Sequence, residues 1–399
     1  MLRFLVGDAR DCLRALPANS VHVIVTSPPY WACRNYGSVP TRWADGQEIP
    51  LGLEPNPKHY IRHLLEVLNE CRRVLHPAGL LFLNLGDTWC GKRNIRYDAD
   101  IDRGYYADFG FKSYSDVEYP AEWGLKPRDL TGVPHRTAFA MQKKGWHLRS
   151  FFPWVKRNAP PVATDLKRPS NALEYVFMFA KSMPHFWDKD AMLIKSAGWP
   201  GGRIYRDTDW YMQSLRDLRG MVIENDSDSD EGGFMSPMGL VLPTASGDSE
   251  HLARYPSTLV EPCIKLGSSE RGCCPACLYP YKRVVEKLRE PYPWRKTIGW
   301  VPFCSCSVDP PIPCTVLDPF SGTGTTQEVA LTLGRHAVYI DQSQEYADKA
   351  RTQLESTFAL VSAAKEYEIP EPPASHVDLI SSYWNERMAM KGIRGTIQA

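Results

Sequence analysis

The chain has 399 residues, 43% hydrophobic and 23% charged, with a formal net charge of +1. This balance excludes an intrinsically disordered chain, and the near-zero charge excludes nucleic-acid binding through a global basic field. No apolar run reaches the length of a membrane span and the apolar start, residues 1–6, is too short for an export signal, so the reading is of a cytoplasmic protein with reduced cysteines.

Residues 1–30 read as strand, helix, strand. The β-branched run Val21-His22-Val23-Ile24-Val25 lies between Asn19-Ser20 and Pro28-Pro29, as a buried strand bounded by turn residues does. Ile61, Leu64, Leu65, Leu68, Cys71, Val74 and Leu75 keep helical spacing over residues 58–76, and Pro77 and Gly79 are expected to end that helix. Residues 79–86 then read as a buried strand. Residues 90–130 keep no period and read as an insertion. A short helix over 137–144 and strands over 146–156 and 174–181 follow, and 184–250 is polar and irregular. Val316-Leu317 opens a second regular stretch: a glycine turn, a helix to Leu333, a strand at His336–Asp341 and a helix over 344–358. The tail beyond Ile369 carries Pro370, Pro372 and Pro373 and reads as a loosely packed appendage. Alternating strands and helices predict an α/β sheet.

Two turns carry chemistry. Asp318-Pro319-Phe320-Ser321-Gly322-Thr323-Gly324-Thr325-Thr326 follows a strand and opens a helix, and Asp341 closes the next strand. Glycines let backbone approach a ligand, and an acid at that place accepts hydrogen bonds from ribose hydroxyls. The turn lacks the lysine of a phosphate loop, Gln327 stands where a dinucleotide fingerprint has its third glycine, and Asp318 would repel pyrophosphate. A cationic or zwitterionic ligand suits it better.

The second turn, Thr26-Ser27-Pro28-Pro29-Tyr30-Trp31, ends the strand at 21–25. Two prolines stiffen it. The Ser27 hydroxyl and a proline carbonyl can accept the two N–H bonds of an exocyclic amine, and Tyr30 offers a face for stacking on a base taken out of its helix. Alone, this is more often a rigid structural corner with a buried tyrosine; beside the glycine turn it points to base chemistry.

At these two turns the sequence resembles the amino-methyltransferases of DNA. The order, catalytic turn first and cofactor turn last, resembles the β group of that family. The resemblance implies an α/β, Rossmann-like S-adenosylmethionine-dependent methyltransferase fold with circularly permuted motif order and inserted recognition segments. It implies catalytic roles for Ser27, Pro28, Pro29 and Tyr30. It assigns Asp8, Ala9, Ser27, Pro256, Asp318, Pro319, Phe320, Ser321, Gly322, Thr323, Gly324, Thr325, Thr326, Asp341 and Gln342 to the cofactor, with Asp8 on its adenine amino group. The segment 251–256 resembles the one covering its methionine end, and 154–158 and 168–171 resemble the strands lining a base pocket. The matching organisation is a catalytic part at 1–89 and 132–183, an insertion at 90–131, a target-recognition region at 184–250, a cofactor part at 251–269 and 314–360, a metal-binding insertion at 270–313 and an appendage at 361–399.

The expected reaction is methyl transfer to the exocyclic N4 of cytosine in double-stranded DNA, with the base flipped out. Serine at the first position of the catalytic turn leans toward cytosine N4 in that family, and adenine N6 is the alternative. Cytosine C5 chemistry needs a thiolate after the cofactor turn, and Pro262-Cys263 and Pro313-Cys314 both precede it. A cofactor-binding DNA protein without catalysis is the alternative of another class, and the intact catalytic turn argues against it. RNA and protein methyltransferases more often carry asparagine at the first position. A homodimer and a companion restriction enzyme are left open.

Cys274-x-x-Cys277 and Cys304-x-Cys306 form two close thiol pairs, the spacing of a four-thiolate structural zinc site, with Cys273 a spare for Cys274 and a hairpin arm expected at 279–288. Between Lys126 and Arg168 cations outnumber acids. Within that stretch Arg149, Lys156, Arg157, Asn158 and Arg168 are the expected DNA contacts.

Overall fold

All six residues of the strand Val21–Thr26 are buried, as a β-branched run is when helices cover both faces of a parallel sheet. The computed structural model describes residues 1–33, 36–90, 119–126, 128–156, 172–192, 240–242, 255–288, 294–306, 308 and 310–364. In chain order the elements are β1 (Leu2–Val6), α1 (Ala9–Arg14), β2 (Val21–Thr26), β3 (Thr41–Arg42), β4 (Glu48–Ile49), α2 (Pro57–Val74), β5 (Leu75–Leu85), α3 (Val133–Lys143), β6 (His147–Lys156), β7 (Leu173–Ala180), β8 (Leu240–Leu242), α4 (Ser257–Gly267), β9 (Lys282–Leu288), β10 (Trp294–Val301), β11 (Thr315–Asp318), α5 (Thr325–Thr332), β12 (His336–Asp341) and α6 (Gln344–Ala364).

Eight strands make one sheet in the order β1-β12-β11-β2-β5-β7-β6-β8. The first five run parallel. β7 runs antiparallel to both neighbours, and β8 lies parallel to β6. Alternate residues feed two cores. Val21 and Ile24 of β2 and Leu81 and Leu83 of β5 pack with α1, α2 and α3, while Val23, Val25, Leu80 and Phe82 pack with α4, α5 and α6. The result is the three-layer, doubly wound α/β arrangement expected from the alternation of elements.

Local sequence explains the helix that carries most of the first core. In α2, Asn56 caps the N-terminus by accepting from the Lys58 amide at 2.9 Å, and Pro57 stands at a first-turn position where it forfeits no helical hydrogen bond. Tyr60, Ile61, Leu64, Leu65, Leu68 and Cys71 form its buried stripe. The helix ends at Val74, earlier than expected. Leu75 takes an extended backbone and pairs with Val21, so the chain passes from helix to strand without a loop, and Pro77 and Gly79 lie inside β5. A second correction is β8, in a stretch read as irregular; three apolar residues are too few to show a period in sequence.

Sheet order fixes where a ligand can lie. From β11 the chain proceeds through α5 to β12 on one side, and from β2 through α2 to β5 on the other. β11 and β2 are therefore neighbours at a reversal of winding, where doubly wound sheets open a crevice at the carboxyl ends of their strands. Among the described residues, no helix is long and apolar enough to cross a membrane.

Candidate active site

The carboxyl ends of β11 and β2 are tied directly. The buried Thr26 hydroxyl donates to Asp318 Oδ1 at 2.6 Å, and the Phe320 amide donates to the same oxygen at 3.0 Å. Oδ2 accepts from Tyr255 at 2.7 Å and from Thr326 at 3.0 Å. Burial lifts the Asp318 carboxyl above its ordinary range, and the donating hydroxyls and amide work against that. With four internal donors and 1% exposure, the carboxylate frames the glycine turn. It does not present a free charge to the crevice, as the sequence reading of Asp318 expected. Ser321 is equally internal, donating to the Asp318 carbonyl and accepting from Gln327 and the Ile340 amide. Gln327, in the place of a third glycine, is thus a fastener of the turn.

The crevice side of the turn is Gly322–Gly324. A side chain at Gly322 would meet nothing within 4 Å, while Gly324, at φ +85°, would push a Cβ to 2.9 Å from Leu354 on α6. Asp341, at the end of β12, accepts the Gly322 amide at 2.7 Å and the Ser343 amide at 2.9 Å, and its backbone carbonyl accepts from Gly7 at 3.0 Å. Burial raises its carboxyl. Each carboxylate oxygen keeps a lone pair beyond these bonds, which suits a hydroxyl-bearing ligand. Gln342 reaches away, donating to the Val39 carbonyl at 2.9 Å.

Asp8 caps α1, and Ala9 begins it. The Asp8 carboxylate accepts from the Arg10 amide and guanidinium, at 2.8 and 3.0 Å, and Arg10 also pairs with Glu66 and covers the Trp43 ring. Burial opposes ionisation of Asp8, but the bonds from Arg10 outweigh it and lower its pKa. Pro256 stands at the N-cap of α4, next to Tyr255.

Ser27, Pro28, Pro29 and Tyr30 leave β2 on the other side of the crevice. Tyr60 of α2 donates to the Pro29 carbonyl at 3.0 Å, while no donor among the described residues reaches the carbonyls of Ser27 and Pro28. The Ser27 hydroxyl donates to the Tyr30 oxygen at 3.1 Å, and Tyr30 donates to Glu174 Oε2 at 2.6 Å. Asn84 Nδ2 donates to both, at 2.7 Å to Tyr30 and 2.8 Å to Glu174. The other Glu174 oxygen pairs with Lys156. Burial first, then the charge of Glu174, pushes the Tyr30 phenol well above its usual range. Gly86 lies against the ring: a Cβ there would sit 2.7 Å from Tyr30 Cε2.

The structure thus gathers the two turns, Asp8, Ala9, Pro256 and Asp341 around one crevice. It does not gather the expected DNA contacts. Lys156 turns inward to Glu174 and lies near the Trp154 ring, so its charge is already paired. Arg149 is exposed near the start of β6 and bonds to His185. Because β6 runs in the direction of β5, that start lies at the sheet end opposite the crevice. Arg157, Asn158 and Arg168 lie outside the described residues, as do 251–254 and most of the expected recognition region. Sequence reasoning missed Glu174 and Asn84. Glu174 did leave a signal, as the one charged residue in the apolar strand Leu173–Ala180.

A second cluster lies elsewhere. The sulfurs of Cys274, Cys277, Cys304 and Cys306 all fall within 4.8 Å of one another, and the nearby Ala276 and Cys277 amides favour the thiolate of Cys274. Cys273 points away, into a buried group with Cys314 and His22. His22 cannot ligate there. Its Nδ1 accepts the Thr315 amide at 2.9 Å, so its Nε2 carries the hydrogen given to the Leu278 carbonyl at 2.8 Å. His76 bonds in the same way to the Cys277 carbonyl. The thiol knuckle therefore docks on the amino ends of β2 and β5, opposite the crevice. Between the two thiol pairs a hairpin does form, but as β9 and β10 it extends to Val301, and the expected stretch 279–288 holds only its first strand.

The DNA methylase family model matches residues 21–274 and 312–352. The gap between these spans holds Cys277, Cys304 and Cys306. The Type II methyltransferase M.SmaI of Serratia marcescens is 28% identical over 353 residues, 88% of this chain and 90% of that protein. The Type II methyltransferase M.Cfr9I of Citrobacter freundii is 30% identical over 358 residues, 88% of this chain and 86% of that one. Among solved structures, the PvuII DNA methyltransferase (cytosine-N4-specific) is similar at 14% identity and a TM-score of 0.48, covering 90% of this chain and 92% of that chain.

Proposed function

This chain belongs to the DNA methylase family of N6- and N4-methyltransferases, and from that premise we propose that it methylates the exocyclic N4 of cytosine at a specific site in double-stranded DNA. The observation that carries the reading is the Ser27 hydroxyl. Its hydrogen is directed to Tyr30, so its oxygen is left to accept an N–H from an amine in the crevice. The Pro28 carbonyl accepts the second N–H. Two such bonds favour a pyramidal nitrogen and expose a lone pair that is otherwise delocalised into the base. Serine, in place of an acidic or amide residue at this position, is what favours cytosine over adenine.

S-adenosylmethionine supplies an electrophilic methyl on a sulfonium, and the residues at the crevice fit it. The open backbone of Gly322–Gly324, the hydroxyl-accepting Asp341 and the carboxylate of Asp8 would hold it, with Pro256 and Phe320 at its flanks. In this reading the base is flipped into the crevice toward Tyr30, and the chain is one half of a restriction–modification pair. A zinc ion on Cys274, Cys277, Cys304 and Cys306 is part of the same proposal. Four converging thiols support it, and its place at the amino ends of the strands, away from the crevice, makes it structural.

The deciding experiment incubates purified protein with S-adenosylmethionine and DNA, then identifies methylated nucleosides by mass spectrometry, beside a Ser27→Ala control. N4-methylcytosine that disappears in the control is expected. N6-methyladenine would overturn the base assignment, and no methylated nucleoside would overturn the reading entire.

A further inference from the structure

Five polar groups converge at the Ser27–Tyr30 turn, and their donor and acceptor capacities allow one arrangement. Glu174 is 7% exposed, and its carboxylate can only accept. Tyr30, 2.6 Å from Oε2, must therefore give its single hydrogen to Glu174. The Tyr30 oxygen then has only lone pairs to offer, and Asn84 and Ser27 both donate to it. Ser27 has no hydrogen left for the crevice. Lys156, paired with the other carboxylate oxygen, holds Glu174 in place.

We propose that Glu174 is a positioning residue for methyl transfer: acting through Tyr30, it fixes the Ser27 hydroxyl as a hydrogen-bond acceptor toward the substrate amine. This rests on the reading of Ser27 above, and it holds for either base amine. Its charge matters as much as its place. A glutamine at 174 has one oxygen and one NH2 group. The Lys156 ammonium claims the oxygen, so the NH2 group turns to Tyr30. The Tyr30 hydroxyl then reverses and donates to Ser27, and Ser27 points its hydrogen into the crevice, against the N–H of the amine.

The test is single-turnover methyl transfer to DNA by Glu174→Gln, with cofactor and DNA affinities measured separately. The rate is expected to fall on the order of tenfold to a hundredfold, as for loss of one well-placed polar contact to a reacting group, with both affinities within about twofold of wild type. Removing the competing ammonium in Lys156→Met/Glu174→Gln frees the amide oxygen to face Tyr30, and most of the rate should return; a purely structural role predicts a worse double variant. Tyr30→Phe keeps the ring but cuts the chain, and should lose rate comparably even if the Glu174 variants fail to fold. A wild-type rate in Glu174→Gln or Tyr30→Phe, or no recovery in the double variant, overturns the proposal. An inactive wild-type protein would instead overturn the function on which it rests.

Discussion

The Thr26 hydroxyl lies 2.6 Å from Asp318 Oδ1, although 292 residues separate the two in the chain. Beyond the ladder that pairs β2 with β11, this bond ties the strand leading into the Ser27–Tyr30 turn to the strand leading into the glycine turn. Thr26→Val keeps the shape and removes the donor. A buried carboxylate short of one bond should lower stability by about 1–3 kcal/mol, and cofactor affinity should fall with it. Urea denaturation and calorimetric titration with S-adenosylmethionine would read both. An unchanged denaturation midpoint would show that the bond does not hold the crevice together.

Gly86 makes room for Tyr30. In Gly86→Ala the new methyl would lie 2.7 Å from the ring, closer than carbon atoms pack, so the ring must shift and pull its hydroxyl from Glu174. Methyl transfer should drop by roughly tenfold or more, as small misplacements in reacting geometry do, while S-adenosylmethionine binding stays near wild type because the glycine turn lies across the crevice. Equal loss of both would instead indicate damage to the sheet.

Metal analysis of the purified protein should find one zinc per chain. Cys274→Ser or Cys304→Ser should lose it and unfold at lower temperature. Cys273→Ser should keep it, since that thiol points to Cys314 and His22. Zinc retained in Cys274→Ser but lost in Cys273→Ser would reverse the assignment.

Burial depresses the His22 pKa from 6.5 to about 4. Between these values the unfolded chain binds a proton that the native chain does not. The contribution of His22 is therefore intact above pH 6.5 and is lost as pH falls toward 4, by roughly 3 kcal/mol over the window. His22→Gln should flatten the stability curve between pH 6.5 and 4 relative to wild type. Parallel curves in denaturant titrations would exclude His22 as a source of acid sensitivity.

Local features were legible in the sequence. The Asp318–Thr326 turn, the Ser27–Tyr30 turn and the helical stripe of residues 61–75 announce themselves within a few positions, because turn chemistry and periodicity are short-range. Partnerships made by sheet order were not. Glu174 meets Tyr30 because β5 lies between β2 and β7, and no spacing in the chain encodes that adjacency. For the same reason the pairing of Lys156 with Glu174 was not legible: strand alternation does not tell a charge that faces a buried acid from one that faces solvent. Cys273 and Cys274 were interchangeable on paper, and only the backbone between them decides which sulfur joins the thiol group.

The interleaving of the two ends of the chain in one sheet also sets a schedule for synthesis. On a ribosome, β2 emerges with one edge bare, and its neighbour β11 follows nearly 300 residues later, roughly 15–60 s at ordinary elongation rates. Throughout that interval the nascent chain carries an unpaired strand edge, a template for misassociation, and its Ser27–Tyr30 turn has no partner across the crevice. Joining of the two turns therefore waits until β11 and β12 have been made, and a truncated product lacking those strands would keep the Ser27–Tyr30 turn without the glycine turn it faces.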